Sequence, residues 1–418
     1  MADVAESISS LEGLFKQQYP EGMPDLIPNG AKLQQNIKFV GKELELGDSY
    51  VQPVRVSYPM GFTHAASGAG AFSLQDAVPG QLKKATVDGY QILLRDQVDM
   101  ESAAKASKGS KKAFDDIVSV TVEGLQKSMR KRIECEMVAG QSGLGILSSV
   151  SGSSTTRAWT LTAASFAPGF WSGVEGCKLD VYTSGGSQRN TNATVIITSV
   201  DIDSRIINVS GNATDLSACV AGDYLYFRGA YGAEQVGLEK VLTNTGTIFN
   251  ISASTYSLWK ASSLAVSGAL SFNAIKKAVA AAVSKGMDEG CTVYLNPKGW
   301  DDIMTDIAAL RRTDKSEVKK VEIGAEEIVF YTQAGMAKLV PSIFVKEGLA
   351  FGLSEGGIWK RVGATDVTPN MPGFGSKIFF DLPSNAGIES RMYSNQNLFC
   401  DAIGKNFLIS GIVNSTAV

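Results

Sequence analysis

A mixed α+β fold is predicted by three features of the sequence. A helix-period stripe of apolar residues runs over 110–139, a Ser/Thr/Asn/Gly-rich stretch over 150–262 alternates with the period of a strand, and residues beyond it return to interleaved helix and strand patterns. The 418 residues, 44% of them hydrophobic, suffice for two or three domains with real cores. Charged residues make up 19%, below the ~25% usual for soluble domains, a balance expected of a chain that buries surface against partners.

Residues 1–46 read as an N-terminal arm. Val4, Ile8, Leu11 and Phe15 are spaced by four, three and four, which predicts a short amphipathic helix. Pro20, Pro24 and Pro28 then forbid helix and favour an extended chain, expected to lie on a neighbour or on its own body. Residues 47–109 predict an extended hairpin. Its first strand is SYVQPVRVSYPM, with Pro53 belonging on an edge, and its return strand is expected in ATVDGYQILLRDQV through Val87, Tyr90, Ile92 and Leu94. Between them lies YPMGFTHAASGAGAFSLQ, residues 58–75, a tip of small uncharged residues holding the chain's one histidine.

The clearest helix covers 110–139. Phe114, Val118, Val122, Leu125, Met129, Ile133 and Met137 draw one stripe, Ser110 can cap it, and Gly140 can close it. Asp115 and Asp116 near its start and Arg130, Lys131 and Arg132 toward its end suit the helix dipole. Over 150–262 only seven basic and eight acidic residues occur, and ATVIITSVDIDSRIINVSG is two alternating runs around a polar turn. An all-β insertion, a small barrel or sandwich, is expected there. Residues 263–390 form an α/β body: Ser271 caps a helix carrying Phe272, Ile275, Val279 and Val283, CTVYLNP is a buried strand, and Pro297 starts a second helix. The closing stretch, 391–418, is rich in strand.

Several function classes are set aside. Net charge is −3 with no basic stripe, so affinity for nucleic acid through phosphate neutralisation is not expected. Cys135, Cys177, Cys219, Cys291 and Cys400 are scattered and odd in number, unlike a disulfide framework or a zinc site, and are expected reduced in a soluble intracellular product. No signal peptide or membrane span is expected. The sequons at Asn192, Asn208, Asn212, Asn250 and Asn414 read as turns. His64 lies among Gly, Ala and Ser without a carboxylate nearby in sequence. SGAGAF, residues 67–72, lacks the lysine and the following helix of a phosphate loop. The acidic residues around Asp314 and at Glu326 and Glu327 lack calcium-loop spacing. No catalytic constellation, metal site or cofactor fingerprint is read, and the chain is not expected to be an enzyme.

Taken in order, these parts resemble the major capsid proteins of tailed bacteriophages, the Hong Kong 97-like family. The most specific passage is AGDYLYFRGAYGAEQVGLEKVLTNTGTIFNISASTYSLWKASS, residues 221–263, where Gly237 and Leu238 match a Gly-Leu stretch and Tyr256 and Trp259 a closing Tyr-x-x-Trp. FNAIKKAVAAAVSKGMDEGCTVYLNPKGWDDI is similar to the helix-strand-helix of the axial domain. The resemblance implies an N-arm over 1–46 and an E-loop over 47–109. It implies the spine helix and start of the peripheral domain over 110–149, a β-rich insertion domain over 150–262, an axial domain over 263–390, and closing peripheral strands over 391–418.

It further implies a shell protein of the virion, assembled in the host cytoplasm as hexamers and pentamers of an icosahedral head around double-stranded DNA that it contacts without sequence preference. Because only a short arm precedes the hairpin, a separate scaffolding protein, or none, is expected, together with a portal and a decoration protein. Candidate inter-subunit contacts are Phe62, His64 and Phe72 at the tip, and Val4, Ile8, Leu11 and Phe15 in the arm. Some relatives cross-link through a lysine at the hairpin tip; none stands between Met60 and Leu82, although Lys83 and Lys84 follow. Two other readings are an encapsulin-type compartment, disfavoured by the insertion and the length, and an enzyme with a β-sandwich accessory domain, disfavoured by the single histidine.

Overall fold

A computed structural model describes residues 30–40, 45–46, 49–99, 117–192, 194–313, 328–370, 373, 378–381 and 387–415. The arm positions Val4, Ile8, Leu11 and Phe15, the three prolines, Ser110, Phe114, Asp115, Asp116, Asp314, Glu326 and Glu327 lie outside the described residues. Packing divides the chain into two compact units. The larger contains Asn29–Ile92, Lys131–Asp366 and Asn395–Val418, and the smaller contains Leu93–Arg130 and Val367–Ser394.

The larger unit opens with a short helix, α1 (Lys32–Asn36), and two brief strands, β1 (Phe39–Val40) and β2 (Glu45–Leu46). The long ribbon follows as β3 (Ser49–Ser57) paired antiparallel with β4 (Gln81–Asp88), from Ser49↔Asp88 out to Ser57↔Gln81. The return strand is therefore QLKKATVD, earlier than the alternating residues predicted. Gly89 interrupts the chain, and β5 (Tyr90–Asp99) belongs to a different sheet from the ribbon. A Cβ on Gly89 would sit 1.9 Å from Asn395 Oδ1.

Helix α2 (Ile117–Ala139) carries the predicted stripe, and Leu125, Met129, Ile133 and Met137 are buried. Its end differs from the expectation. Gln141, with φ 60°, is the left-handed residue after the helix, and its N–H donates to Glu234 Oε1 at 2.7 Å. Gly140 is glycine for another reason: a Cβ there would meet the Gln235 carbonyl at 2.1 Å. The basic residues near the helix end have specific partners as well. Arg132 pairs with Glu136 at 2.8 Å and lies 3.5 Å from the centroid of Phe227, while Lys131 donates to the Ser172 carbonyl.

Strands β6 (Gly145–Ser153), β7 (Thr156–Leu161), β8 (Lys178–Tyr182), β9 (Val195–Asp201), β10 (Ile206–Ser210) and β11 (Tyr224–Phe227) close into a barrel in the order β10-β7-β6-β11-β8-β9. Helices α3 (Pro168–Trp171) and α4 (Ala213–Ala218) lie on its connections, and Asn212 caps α4 by accepting from Thr214 N–H at 2.8 Å. Closure leaves no free strand edge. The core of the barrel is Leu147, Trp159, Leu179, Val181, Val195, Ile197, Ile207, Val209 and Leu225, all fully or almost fully buried. Asn208 sits on β10, so this sequon is part of a strand and not a turn.

Helix α5 (Leu238–Leu242) and a miniature hairpin, β12 (Thr247–Ile248) with β13 (Ile251–Ser252), lead to the α/β body. That body comprises β14 (Ser262–Gly268), α6 (Phe272–Val283), β15 (Cys291–Leu295), α7 (Pro297–Thr313), β16 (Ile328–Thr332), β17 (Gly335–Pro341) and β18 (Leu349–Ser354). The chain ends through β19 (Trp359–Thr368), β20 (Phe379–Asp381), β21 (Gly387–Cys400) and β22 (Phe407–Ile412). One mixed sheet runs β14-β22-β18-β15-β17-β16. Ser271 caps α6 as expected, accepting from Ala274 N–H at 3.2 Å, and Ile275, Ala278, Val279 and Ala282 pack with Val293, Leu339, Phe407 and Ile409 in one core. Parallel pairing of β1 with β19 ties residues 39–40 to the same unit. In the smaller unit β20 pairs with β21, and Glu389 on β21 meets Arg391, Gln97 and Arg95.

Two buried glutamates make the larger unit sensitive to pH. Glu134 on α2 accepts the N–H groups of Leu33 at 2.8 Å and Gln34 at 3.1 Å, and burial still raises its pKa to about 7. Glu234 is also raised to about 7, by burial first and then by the charge of Glu136. The folded state therefore binds these protons more tightly than the unfolded chain, so stability is lost as pH rises from about 4.5 through 7. The melting temperature is expected to fall between pH 5 and pH 8, and Glu234→Gln to flatten that slope. Trp159→Ala, which empties the barrel centre, is expected to cost about 3–5 kcal/mol by denaturant titration.

Candidate assembly surface

The ribbon is buried only at its inner end. Tyr50, Ala85 and Val87 are covered, whereas Gln81, Leu82, Lys83 and Lys84 on β4 are all exposed. Beyond Ser57 and Gln81 the tip, residues 58–80, has no regular strand or helix. Local bonds shape it: Met60 N–H to the Val78 carbonyl at 3.1 Å, Phe62 N–H to the Met60 carbonyl at 2.9 Å, Ala69 N–H to the Ala66 carbonyl at 3.1 Å, Gln75 N–H to Thr63 Oγ1 at 2.9 Å, and Gln81 N–H to Ser57 Oγ at 3.0 Å. Gly80 is needed at the neck, since a Cβ would lie 2.9 Å from the Ser57 carbonyl. At Gly70, by contrast, a Cβ would meet nothing within 4 Å. The small residues of the outer tip are thus not demanded by packing within the chain.

Large apolar side chains crowd this small element. Phe62 is 68% exposed, Phe72 53%, Leu74 80% and Leu82 63%, and Tyr58, Met60 and Val78 are exposed as well. Scattered exposed apolar residues are ordinary, but a run of them on one projecting element marks an interaction surface. Arg55, Lys83 and Lys84 add positive charge and make no ion pair among the described residues; the Arg55 guanidinium lies 5.4 Å from the Tyr58 ring centroid. Phe62 and Phe72 are the tip residues expected from the sequence, and Leu74, Val78 and Leu82 join them in this patch.

At its inner end the ribbon meets the stretch 221–263, through the Thr86 N–H and the Phe249 carbonyl. Gly237 precedes α5 and approaches backbone so closely that a Cβ would fall 2.4 Å from the Gly140 nitrogen and 2.8 Å from the Glu136 carbonyl. Leu238 is fully buried. Trp259 donates its indole N–H to the Ile248 carbonyl at 3.2 Å, and Tyr256 donates its hydroxyl to Gln81 Oε1 at 3.3 Å. Of these four residues, Tyr256 bonds to the ribbon, at the outer end of β4.

His64 is exposed at the tip, with no hydrogen bond or ion pair among the described residues. Cys135, Cys219, Cys291 and Cys400 are buried and Cys177 is half-buried; burial pushes the thiols of Cys135, Cys219 and Cys291 up to about 12. Among the described residues no group of His, Cys, Asp and Glu is arranged to hold a metal ion, and no helix is long and apolar enough to cross a membrane.

No protein-family model matches the sequence, and no curated protein matches it either. Solved structures do match over nearly the whole chain. The cyanophage A-1(L) capsid asymmetric unit aligns with a TM-score of 0.59 at 10% identity, over 97% of this chain and 99% of that one. The capsid of the native GTA particle aligns with a TM-score of 0.53 at 9% identity, over 98% and 100%. The capsid of the empty GTA particle gives 0.51 at 10%, again over 98% and 100%. The chain has a phage-capsid fold. This is the mixed α+β architecture expected from the order of its parts, found at a sequence identity where no single motif could carry the likeness.

The close backbone approach at Gly237 gives a direct check of how the start of α5 packs on the end of α2. Gly237→Ala is expected to destabilise the chain by about 1–3 kcal/mol, because the neighbours it would meet are backbone atoms that cannot turn aside. Thermal unfolding followed by circular dichroism reads this, and an unchanged midpoint would contradict the geometry.

Proposed function

We propose that this chain is a shell protein, the major capsid protein of a tailed phage, and that its activity is self-assembly into an icosahedral head enclosing double-stranded DNA. The observation that carries the reading is the ribbon tip. An isolated two-stranded ribbon is marginal in water, and this one ends in exposed Phe62, Phe72 and Leu74 that nothing in the described chain covers. A second copy supplies the missing surface, and the phage-capsid fold supports that choice of partner. Phe62 and Phe72 act as anchors, with His64 between them on the contacting tip, and the small residues from Ala65 to Ala71 let it lie close to the neighbour.

In this reading the ribbon is the E-loop, α2 the spine helix, the β14–β22 sheet with α6 and α7 the axial domain, and the barrel an insertion on which a decoration protein can sit. Residues 1–46 are the N-arm, with Val4, Ile8, Leu11 and Phe15 as further contacts between copies. Hexamers and pentamers form in the host cytoplasm with a separate scaffolding protein and a portal, and the finished head is part of the virion. The net charge of −3 suits a container that encloses DNA without gripping it. The role is structural and not catalytic.

The test removes the tip alone. Met60 and Val78 are already bonded across the neck, so residues 61–77 can be replaced by Asn-Gly without straining the ribbon. The wild type is expected to give hollow shells or capsomer rings by negative-stain microscopy, with scaffold if required. The shortened chain is expected to stay soluble and folded and to form neither. Phe62→Ser with Phe72→Ser is expected to lower the yield of shells at least tenfold with little change in melting temperature. Normal shells from the shortened chain would overturn the assignment of the ribbon.

A further inference from the structure

Among the described residues, five non-glycine residues have left-handed φ angles: Gln141, Ser154, Arg205, Phe249 and Asn250. Ser154 and Arg205 sit in turns between barrel strands. The other three line a single cavity of about 260 Å³ at the inner end of the ribbon, together with Thr86, Val87 and Asp88 of β4. Backbone strain of this kind collects where a structure must hold something in place.

Phe249 and Asn250 are the two central residues of the β12–β13 hairpin, with φ 51° and 63°. A two-residue turn with both φ values positive is favoured in hairpins, but Asn-Gly is the ordinary solution, and an aromatic residue in the first position is costly. Two contacts offset the cost here. The Phe249 ring is buried edge-on against Phe399 at 5.3 Å, and Phe399 in turn meets Tyr50 of β3 at 5.4 Å. The left-handed backbone also presents the Phe249 carbonyl to β4, where it accepts the Thr86 N–H at 3.1 Å. This bond falls within the covered end of the ribbon, at Thr86 between buried Ala85 and Val87, two residues inside the exposed stem that begins at Lys84. Three residues further along, Gly89 ends the strand.

We propose that the Phe249–Asn250 turn is the positioning element of the ribbon: its left-handed backbone, through the Phe249 carbonyl and Thr86, fixes the direction in which the ribbon leaves the body. The proposal deepens the shell-protein reading, since a ribbon that must reach a neighbour needs a defined direction. It holds for the isolated chain as well.

Asn250 makes the test sharp because its side chain is exposed, so replacing it removes little packing. Glycine adopts a positive φ freely, whereas a β-branched residue there is a genuine outlier. Asn250→Gly and Asn250→Val therefore delete the same side chain and differ in the backbone they permit. In the unassembled chain, amide exchange at Thr86 is expected to be unchanged in the Gly variant and about tenfold faster in the Val variant, while amides of β15 stay as in the wild type. With scaffold, N250G is expected to form shells of wild-type diameter and N250V shells of mixed diameter or none. Should N250V fail to fold, Phe249→Leu, which keeps the apolar bulk but loses the ring contact with Phe399, is expected to quicken Thr86 exchange alone.

Equal Thr86 exchange in N250G and N250V would overturn the proposal. So would an increase spread evenly over β4 and β15, which would make the turn a general stabiliser. If Thr86 responds as expected but no form of the protein, wild type included, assembles, the positioning role stands and the shell-protein reading falls.

Discussion

A ribbon that is covered at one end only is the constraint around which this chain is built. Burial of Tyr50, Ala85 and Val87 fixes the inner end, and the pairing of β3 with β4 carries the strands outward to a neck at Ser57 and Gln81. Past that point the chain offers its own residues little to bury. Burying a large apolar side chain is worth about 1.5–3 kcal/mol, and Phe62, Phe72, Leu74 and Leu82 forgo most of it in the single chain. Stability must come from elsewhere in the molecule. It does so in the closed barrel and in the six-stranded sheet under α6, each of which has a core with no need of the ribbon.

This division of labour explains where glycine and strain appear. Gly237 and Gly140 let the start of α5 and the end of α2 come within backbone contact and form a stiff base. Phe249 and Asn250 hold an unfavourable backbone conformation because one carbonyl must face Thr86. At Gly70 a Cβ would meet no described residue within 4 Å. The buried glutamates belong to the same base: Glu134 holds the first turn of α1 against α2, and Glu234 holds the residue after α2.

Much of the fold was legible in the sequence because its period was plain. The α2 stripe, the Ser271 cap, the Pro297 start and the hairpin of β9 and β10 each rest on local spacing, and each is found. The return strand was misplaced because Tyr90, Ile92 and Leu94 alternate better than QLKKATVD, which is polar at its outer end for the reason that it is unburied. Propensity alone makes Gly140 the residue that closes α2, but tertiary contact with Gln235 decides that position, and the left-handed residue is Gln141. The positioning turn was out of reach: Asn250 looked like any turn asparagine, and only the fold brings its neighbour Phe249 to Thr86.

The central claim is that the ribbon tip finds its complement in another copy of the chain. Hydrogen exchange of the tip amides, residues 58–80, in the unassembled protein and in purified particles tests it most directly. Fast exchange is expected in the free chain, with strong protection at Phe62 and Phe72 in the particle. Equal, fast exchange in both would contradict it.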